Sequence, residues 1–193
     1  MSAIGLLLAA GAGRRMGTPK ALVRDADGTS WLLRSLATLR DGGCDPVTVV
    51  LGAAADEARA LLDEDDVKVV VAEDWDEGMG ASLRAGLAAL DDVGEAALVL
   101  LVDLPDVGAA VVRRVLDRPV GGTTLARATY DGTPGHPVLI GRDHWAGVIG
   151  SATGDQGARA YLAAHDVELV ECGDLATGHD VDSRPTSGQP AAE

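Results

Sequence analysis

The chain reads as an α/β protein, a doubly wound three-layer sandwich on a mostly parallel sheet, and three observations predict that class. Short apolar runs alternate with segments of helical periodicity as far as about residue 117. Residues 96–102 (A-A-L-V-L-L-V) form the most hydrophobic run and lack apolar–polar alternation, as a central strand covered on both faces does. An apolar run at 3–9 breaks off into three glycines, Gly11, Gly13 and Gly17, with Arg14, Arg15 and Lys20 set among them.

In order, the strand at 3–9 and the glycine loop lead to a helix capped by Thr29 or Ser30 and running to about residue 40. Trp31, Leu32, Leu36 and Leu39 have the spacing of its buried face. Gly42 and Gly43 end it, and P-V-T-V-V-L at 46–51 is the second strand. A helix at 54–62, a strand at 67–72 and a helix carrying Leu83, Leu87 and Leu90 follow. The strand at 96–102 ends in Asp103-Leu104-Pro105-Asp106, which sets an acid at the carboxyl end of a parallel strand, where open α/β sheets gather ligands. Asp106 reads as a cap or turn residue. A helix is expected at 108–117 and a strand at 123–130. A turn at 131–137 (D-G-T-P-G-H-P), a short strand at 138–140, a helix after Gly154-Asp155-Gln156-Gly157 and a strand at 167–171 complete the reading. This last third is expected to make an antiparallel excursion over the carboxyl edge of the sheet, where a second substrate could sit.

Neither a repeat nor an inter-domain linker interrupts the pattern. The expectation is one domain over 1–182 and a mobile Pro-, Ser- and Ala-rich tail at 183–193. The 47% apolar content is carried by Ala, Val and Leu with no Phe, so packing must rely on small and branched side chains. A formal charge of −14 argues against nucleic acid or an anionic membrane as partner and leaves room only for a local anion site. Arg14, Arg15, Lys20 and Arg24 concentrate positive charge in one place. Cys44 and Cys172 are too few and too far apart for a disulfide framework or a zinc site, and no basic segment precedes the first apolar run. Reduced thiols and a cytoplasmic location are the expectation.

The loop L-L-L-A-A-G-A-G-R-R-M-G-T-P-K has the makings of a phosphate cradle. Glycines let backbone N–H groups approach an anion, and the cations neutralise it. The alternative is an ordinary strand-to-helix turn with solvated arginines. Lys20 is one of only two lysines, the other being Lys68, which weighs against casual decoration. The dinucleotide fingerprint G-x-G-x-x-G fits poorly, because the third glycine comes one residue late. A Walker A loop fails as well, because Gly17 is followed by Thr18-Pro19 rather than Lys.

What remains, L-A-A-G-x-G-x-R-M-G-x-P-K, resembles the signature loop of nucleotidyltransferases that activate small phosphorylated molecules with an NTP. Three further blocks stand in the same order: G-M-G-A-S-L-R-A-G-L, L-V-D-L-P-D with G-H-P-V-L-I-G-R, and G-D-Q-G-A-R with D-V-D-S. Together the four resemble the MobA-like NTP transferase family, and in particular its molybdenum cofactor cytidylyltransferase branch, over nearly the whole chain except the tail. The resemblance implies a Rossmann-like nucleotidyltransferase fold and Mg²⁺ dependence. It also implies transfer of CMP from CTP, or a nucleotidyl group from another NTP, to a molybdopterin-type cofactor or other small phosphorylated acceptor. A molybdoenzyme or its chaperone would be the onward partner.

That chemistry displaces pyrophosphate from the α-phosphorus, and a divalent cation is an economical way to spread the charge. Mg²⁺ takes one or two carboxylates and keeps phosphate and water in its other positions. Asp103 is the first ligand expected, against a turn-forming role before Pro105. Asp180 and Asp182 alternate onto one side of an extended segment, and Asp182 is preferred as the second ligand over a hydrated acid at the start of the tail. By position, the resemblance implies that Leu8, Ala9, Ala10, Gly11 and Gly13 frame the nucleotide, with Arg15 and Lys20 on its phosphates. Arg15, Lys20 and Asp103 are the catalytic set. Ala10 suggests cytidine, where guanylyl-transferring relatives resemble L-A-G-G. Ser82 or Arg84 would reach the nucleotide, and His136, Asp155 and Arg159 would face the second substrate. Two other functions stay open: transfer to a sugar or polyol phosphate, and a noncatalytic nucleotide- or cofactor-binding chaperone.

Overall fold

The computed structural model describes residues 3–62, 67–90 and 94–181. The expected α/β fold is present as one seven-stranded sheet. In chain order its strands are β1 (Ile4–Ala9), β2 (Val47–Leu51), β3 (Lys68–Val71), β4 (Ala96–Leu101), β5 (Leu125–Tyr130), β6 (Thr133–Gly141) and β7 (Glu168–Glu171), and in space they run β3-β2-β1-β4-β6-β5-β7. β1 pairs in parallel with β2 and β4, and β2 with β3. β6 runs against both β4 and β5, and β7 is parallel to β5. The most hydrophobic run of the sequence is therefore the middle strand.

Successive residues of a strand face opposite sides, so β1 feeds two cores. Leu7 and Ala9 join the layer under α1 (Trp31–Asp41) and α4 (Ala109–Leu116), whereas Ile4, Leu6 and Leu8 join the layer under α3 (Met79–Ala88) and α5 (Arg142–Ser151). Every residue of β1 is buried, which explains an unbroken apolar run in place of alternation. Ser30 caps α1, its hydroxyl accepting from the Leu33 N–H at 3.4 Å. Gly86 lets α3 lie close on the sheet, since a Cβ there would stand 2.8 Å from Val50 Cγ2 and 2.9 Å from Leu6 Cδ1.

Several boundaries differ from the sequence reading. The turn expected at 131–137 contracts to Asp131-Gly132, at φ 49° and 77°, and β6 runs straight through Pro134 and Pro137. The prolines are tolerated because the β5–β6 register shifts between Arg127 and Thr129, and a ladder already broken there loses little from a missing N–H. The antiparallel excursion accordingly lies within the sheet, between β4 and β5, and not over its edge. Helix α2 (Ala55–Arg59) is shorter than 54–62. α5 was not anticipated, because R-D-H-W-A-G-V-I-G-S buries only Trp145 and Val148 and contains two poor helix formers, Gly147 and Gly150. Asp182 and the tail at 183–193 lie outside the described residues. No helix among the described residues is long and apolar enough to cross a membrane.

Glu171, at the end of β7, clasps the hairpin. Its carboxylate accepts from Gly173 N at 2.8 Å, Gly132 N at 3.0 Å, and Thr129 Oγ1 and Asp131 N at 2.9 Å each. These donors, the backbone of Gly173 and Gly132 first, hold its carboxyl down at about 2. Because the folded value lies below the ordinary 4.5, the clasp stabilises fully above pH 4.5 and loses its effect as pH falls toward 2. The difference in Tm between the wild type and Glu171→Gln should thus be widest above pH 4.5 and close toward pH 2; a pH-independent difference would contradict the clasp. Gly86→Ala should lower unfolding free energy in urea by about 1–3 kcal/mol, from overpacking against Leu6 and Val50.

Candidate active site

Because β1 and β4 are neighbours and parallel, the loops leaving their carboxyl ends stand side by side. Leu8 pairs with Leu101, and the Val102 N–H donates to the Leu8 carbonyl at 3.2 Å. The chain extends the sheet from β1 to one side and from β4 to the other, so this is the point at which strand order reverses and a crevice opens. A cleft of about 550 Å³ lies there.

The glycine loop forms one wall and is closed on itself. Met16 N and Gly17 N donate to the Gly13 carbonyl at 2.8 and 2.9 Å, and Lys20 N donates to the Gly11 carbonyl at 3.0 Å. Gly13 sits at φ +57°, and a Cβ on it would stand 1.9 Å from the Thr18 carbonyl oxygen, so no other residue fits. Buried Met16 ties the loop to the core. Leu8, Ala10, Gly11, Gly13, Arg15 and Lys20 line the cleft, together with Ser82, Asp103 and Asp155. Ala9 does not; strand alternation turns it into the α1/α4 core, where it is 1% exposed.

Lys20 Nζ is ion-paired with Asp103 Oδ2, two groups 83 positions apart in sequence. Their side chains are 19% and 9% exposed, so the pair sits in the partly dry floor of the cleft, where Coulomb attraction is less screened than at the surface. Arg14 lines the cleft beside Arg15. Arg24 is not part of the cluster, its guanidinium donating to the Gly28 carbonyl at 2.8 Å. Arg84 is structural, bridging the Ala152 carbonyl and Glu77 at 2.8 Å each.

The terminal segment crosses the end of β4. Val181 N donates to the Asp103 carbonyl at 3.0 Å, and Asp106 accepts from Thr177 N and Oγ1 at 2.6 Å each, which makes Asp106 the anchor of this segment. Asp180 consequently lines the cleft with Asp103. Asp182, the acid preferred from sequence, lies outside the described residues. Among the described residues no three His, Cys, Asp or Glu side chains gather into a metal cluster. Mg²⁺ does not need one: a carboxylate or two at the edge of a phosphate site is its ordinary protein share. Asp103, with Asp180 near it, fits that demand.

His136 and Arg159 do not line this cleft. They line an adjoining pocket of about 60 Å³ that shares Leu8 and Met79 with it and that also contains Arg127. Burial, and then the neighbouring Arg127, press the His136 imidazole down to about 4, so the ring is neutral at pH 7. Sequence reasoning missed Arg127 and Trp75. Trp75 lines the cleft beside Ala10 and packs where a Cβ on Gly52 would meet its own Cβ at 2.5 Å and the Ala10 Cβ at 2.8 Å. A tryptophan amid E-D-W-D-E and an arginine amid T-L-A-R-A-T-Y, each out of keeping with its neighbours, were the available signals.

Residues 5–169 match the model of the MobA-like NTP transferase domain. The chain is 38% identical over 187 residues to nicotine blue oxidoreductase of Paenarthrobacter nicotinovorans, covering 93% of this chain and 91% of that protein. Among solved structures, Rv0371c from Mycobacterium tuberculosis H37Rv is 32% identical with a TM-score of 0.77, over 95% of this chain and 94% of that one. Its complex with manganese gives a TM-score of 0.74 at 30% identity, over 94% of each chain. A nucleotidyl transferase from Methanothermobacter thermautotroptrophicus (Mth528) shares the fold at a TM-score of 0.79 and 22% identity, over 94% and 92% of the two chains. The glycine cradle at the switch point, its Lys20–Asp103 floor and the match over 5–169 agree, and the chain belongs to the MobA-like NTP transferase family.

Proposed function

We propose that this protein is a Mg²⁺-dependent cytidylyltransferase that moves CMP from CTP to the terminal phosphate of a molybdopterin-type cofactor and releases pyrophosphate. The observation that carries the reading is the Lys20–Asp103 ion pair at the mouth of the glycine cradle, one cation for phosphate and one carboxylate for a metal, side by side. In the reaction an acceptor phosphate oxygen forms a bond to the α-phosphorus. The bond from that phosphorus to the oxygen bridging to the β-phosphate breaks, and the electron pair leaves with pyrophosphate. Arg15 and Lys20 neutralise the triphosphate, and backbone N–H groups of the loop point at its oxygens. Asp103, with Asp180 or Asp182, holds Mg²⁺, which supplies charge neutralisation to the phosphates when bound. Ala10 and Ser82 lie along the nucleotide, and Ala10 favours the pyrimidine base. His136, Asp155 and Arg159 face the acceptor, and the product passes to a molybdoenzyme or its chaperone.

A second reading has one observation in its favour: a relative 38% identical to this chain is a nicotine blue oxidoreductase. On this reading the cleft takes a reduced nicotinamide cofactor in place of CTP. The one-residue mismatch of the glycine spacing to G-x-G-x-x-G weighs against it.

Pyrophosphate release with each of the four NTPs, against molybdenum cofactor and common sugar and polyol phosphates, tests the proposal. CTP with molybdenum cofactor should give the highest kcat/KM. A GTP preference would contradict the cytidylyl assignment alone, and turnover with a sugar or polyol phosphate would replace the acceptor. Nucleotide binding with no pyrophosphate from any pair would favour a noncatalytic chaperone. Oxidation of NADH or NADPH by nicotine blue in the absence of NTP would favour the oxidoreductase. Lys20→Ala and Asp103→Asn should each lower kcat/KM by at least ~10²-fold. The double variant should fall little below the weaker single one, because each side chain is the other's partner; independent, multiplying losses would separate them into unconnected roles.

A further inference from the structure

We propose that Arg127, together with Arg159 and His136, forms a distal subsite that holds the acceptor by a small anionic group on an apolar framework, apart from the phosphate that reacts. The proposal rests on the nucleotidyl-transfer reading of the main cleft and names a specificity residue for its second substrate.

The pocket opens onto the cleft at Leu8 and Met79 but is lined by none of Arg15, Lys20 and Asp103, so a group bound in it is not the attacking one. Its walls are apolar, with Val99, Val138, Ile140 and Leu162 among them, and its polar groups are basic or neutral. Arg127 enters from β5 beside the register shift. Its Nη2 donates to the Gly135 carbonyl at 3.2 Å, while its Nε is buried without a hydrogen-bond partner. A buried donor left unsatisfied is costly, and on a residue that lines a pocket it can be met by an acceptor bound there.

Several arginines of this acidic chain pair with carboxylates: Arg34 with Asp25, Arg84 with Glu77, Arg114 with Asp174 and Arg118 with Glu168. Among the described residues neither Arg127 nor Arg159 makes such a pair, in a protein with 30 acidic residues against 16 basic. Burial and then the charge on Arg159 both weaken Arg127's hold on its proton, so the two guanidiniums stand near one another unneutralised. An anion between them removes that repulsion, and the neutral His136 ring offers a third polar contact.

The test uses the full chain at pH 7 with a non-hydrolysable CTP analogue filling the cradle, and phenyl phosphate and inorganic phosphate as probes. NMR shifts of the His136 imidazole report occupancy. Phenyl phosphate should move the His136 signals and bind at least ~10-fold more tightly than inorganic phosphate, because its ring covers apolar wall. Arg127→Gln should raise the Kd for phenyl phosphate at least ~10-fold and leave the Kd of the CTP analogue unchanged, with partial recovery in Arg127→Lys. Should Arg127→Gln fail to fold, Arg159→Gln, at an exposed position, should weaken phenyl phosphate in the same direction. Unmoved His136 signals, or wild-type affinity in the folded variant, would overturn the subsite. Equal binding of the two phosphates would overturn its apolar half. If the CTP analogue fails to bind while phenyl phosphate still moves His136, the nucleotide reading fails and the subsite stands.

Discussion

The parallel pairing of β1 with β4 is the constraint on which the site depends. Backbone hydrogen bonding from Ile4–Ala97 to Leu8–Leu101 fixes the two carboxyl ends at one level, and the Lys20–Asp103 pair hangs from that level. The glycine loop leaves one end and Asp103 the other, and the closure of the loop on itself, with Lys20 N held to the Gly11 carbonyl, brings Lys20 into contact with Asp103. The pairing is secure because both strands are buried on both faces, and slipping by one residue would exchange the Leu7 and Leu8 sides between two differently shaped cores.

Electrostatics are organised by the same geometry. A chain of net charge −14 confines Arg14, Arg15 and Lys20 to one loop at the end of an apolar strand. Surrounding acids such as Asp103, Asp155 and Asp180 face the same cleft, so the site is a mixed field and not a basic patch. Such a field suits a ligand that is itself mixed, an anion arriving with its counter-cation, and discriminates against polyanions that bring no cation into the cleft.

Much of this was readable in the sequence, for reasons that differ by residue. The strands at 4–9 and 96–101 announce themselves because burial on both faces forbids polar residues, and the cradle does so because Gly13 admits no side chain. The placement of Asp103 follows from strand order alone. The Ala9 side chain faces the core rather than the cleft, because a strand shows alternate residues to opposite sides whereas a motif is written as a continuous string. His136 and Arg159 line a pocket adjoining the main cleft, and only the antiparallel insertion of β6 beside β4 reveals this. That insertion was hidden by two prolines, which read as a turn wherever the ladder's irregularity is not visible. α5 was hidden by its glycines, and Arg127 by being a single charge in a short strand.

The resting contact between Lys20 and Asp103 has a thermodynamic consequence for the proposed reaction. While the two hold one another, each satisfies the charge that a substrate component would otherwise meet. A triphosphate drawing Lys20 away bares a carboxylate for a divalent ion, and an ion engaging Asp103 frees an ammonium group for phosphate. Each therefore enhances the other's affinity by the same factor, as reciprocity requires. On the proposed reaction, the protein would recognise the metal–nucleotide complex as a unit and hold either half poorly by itself.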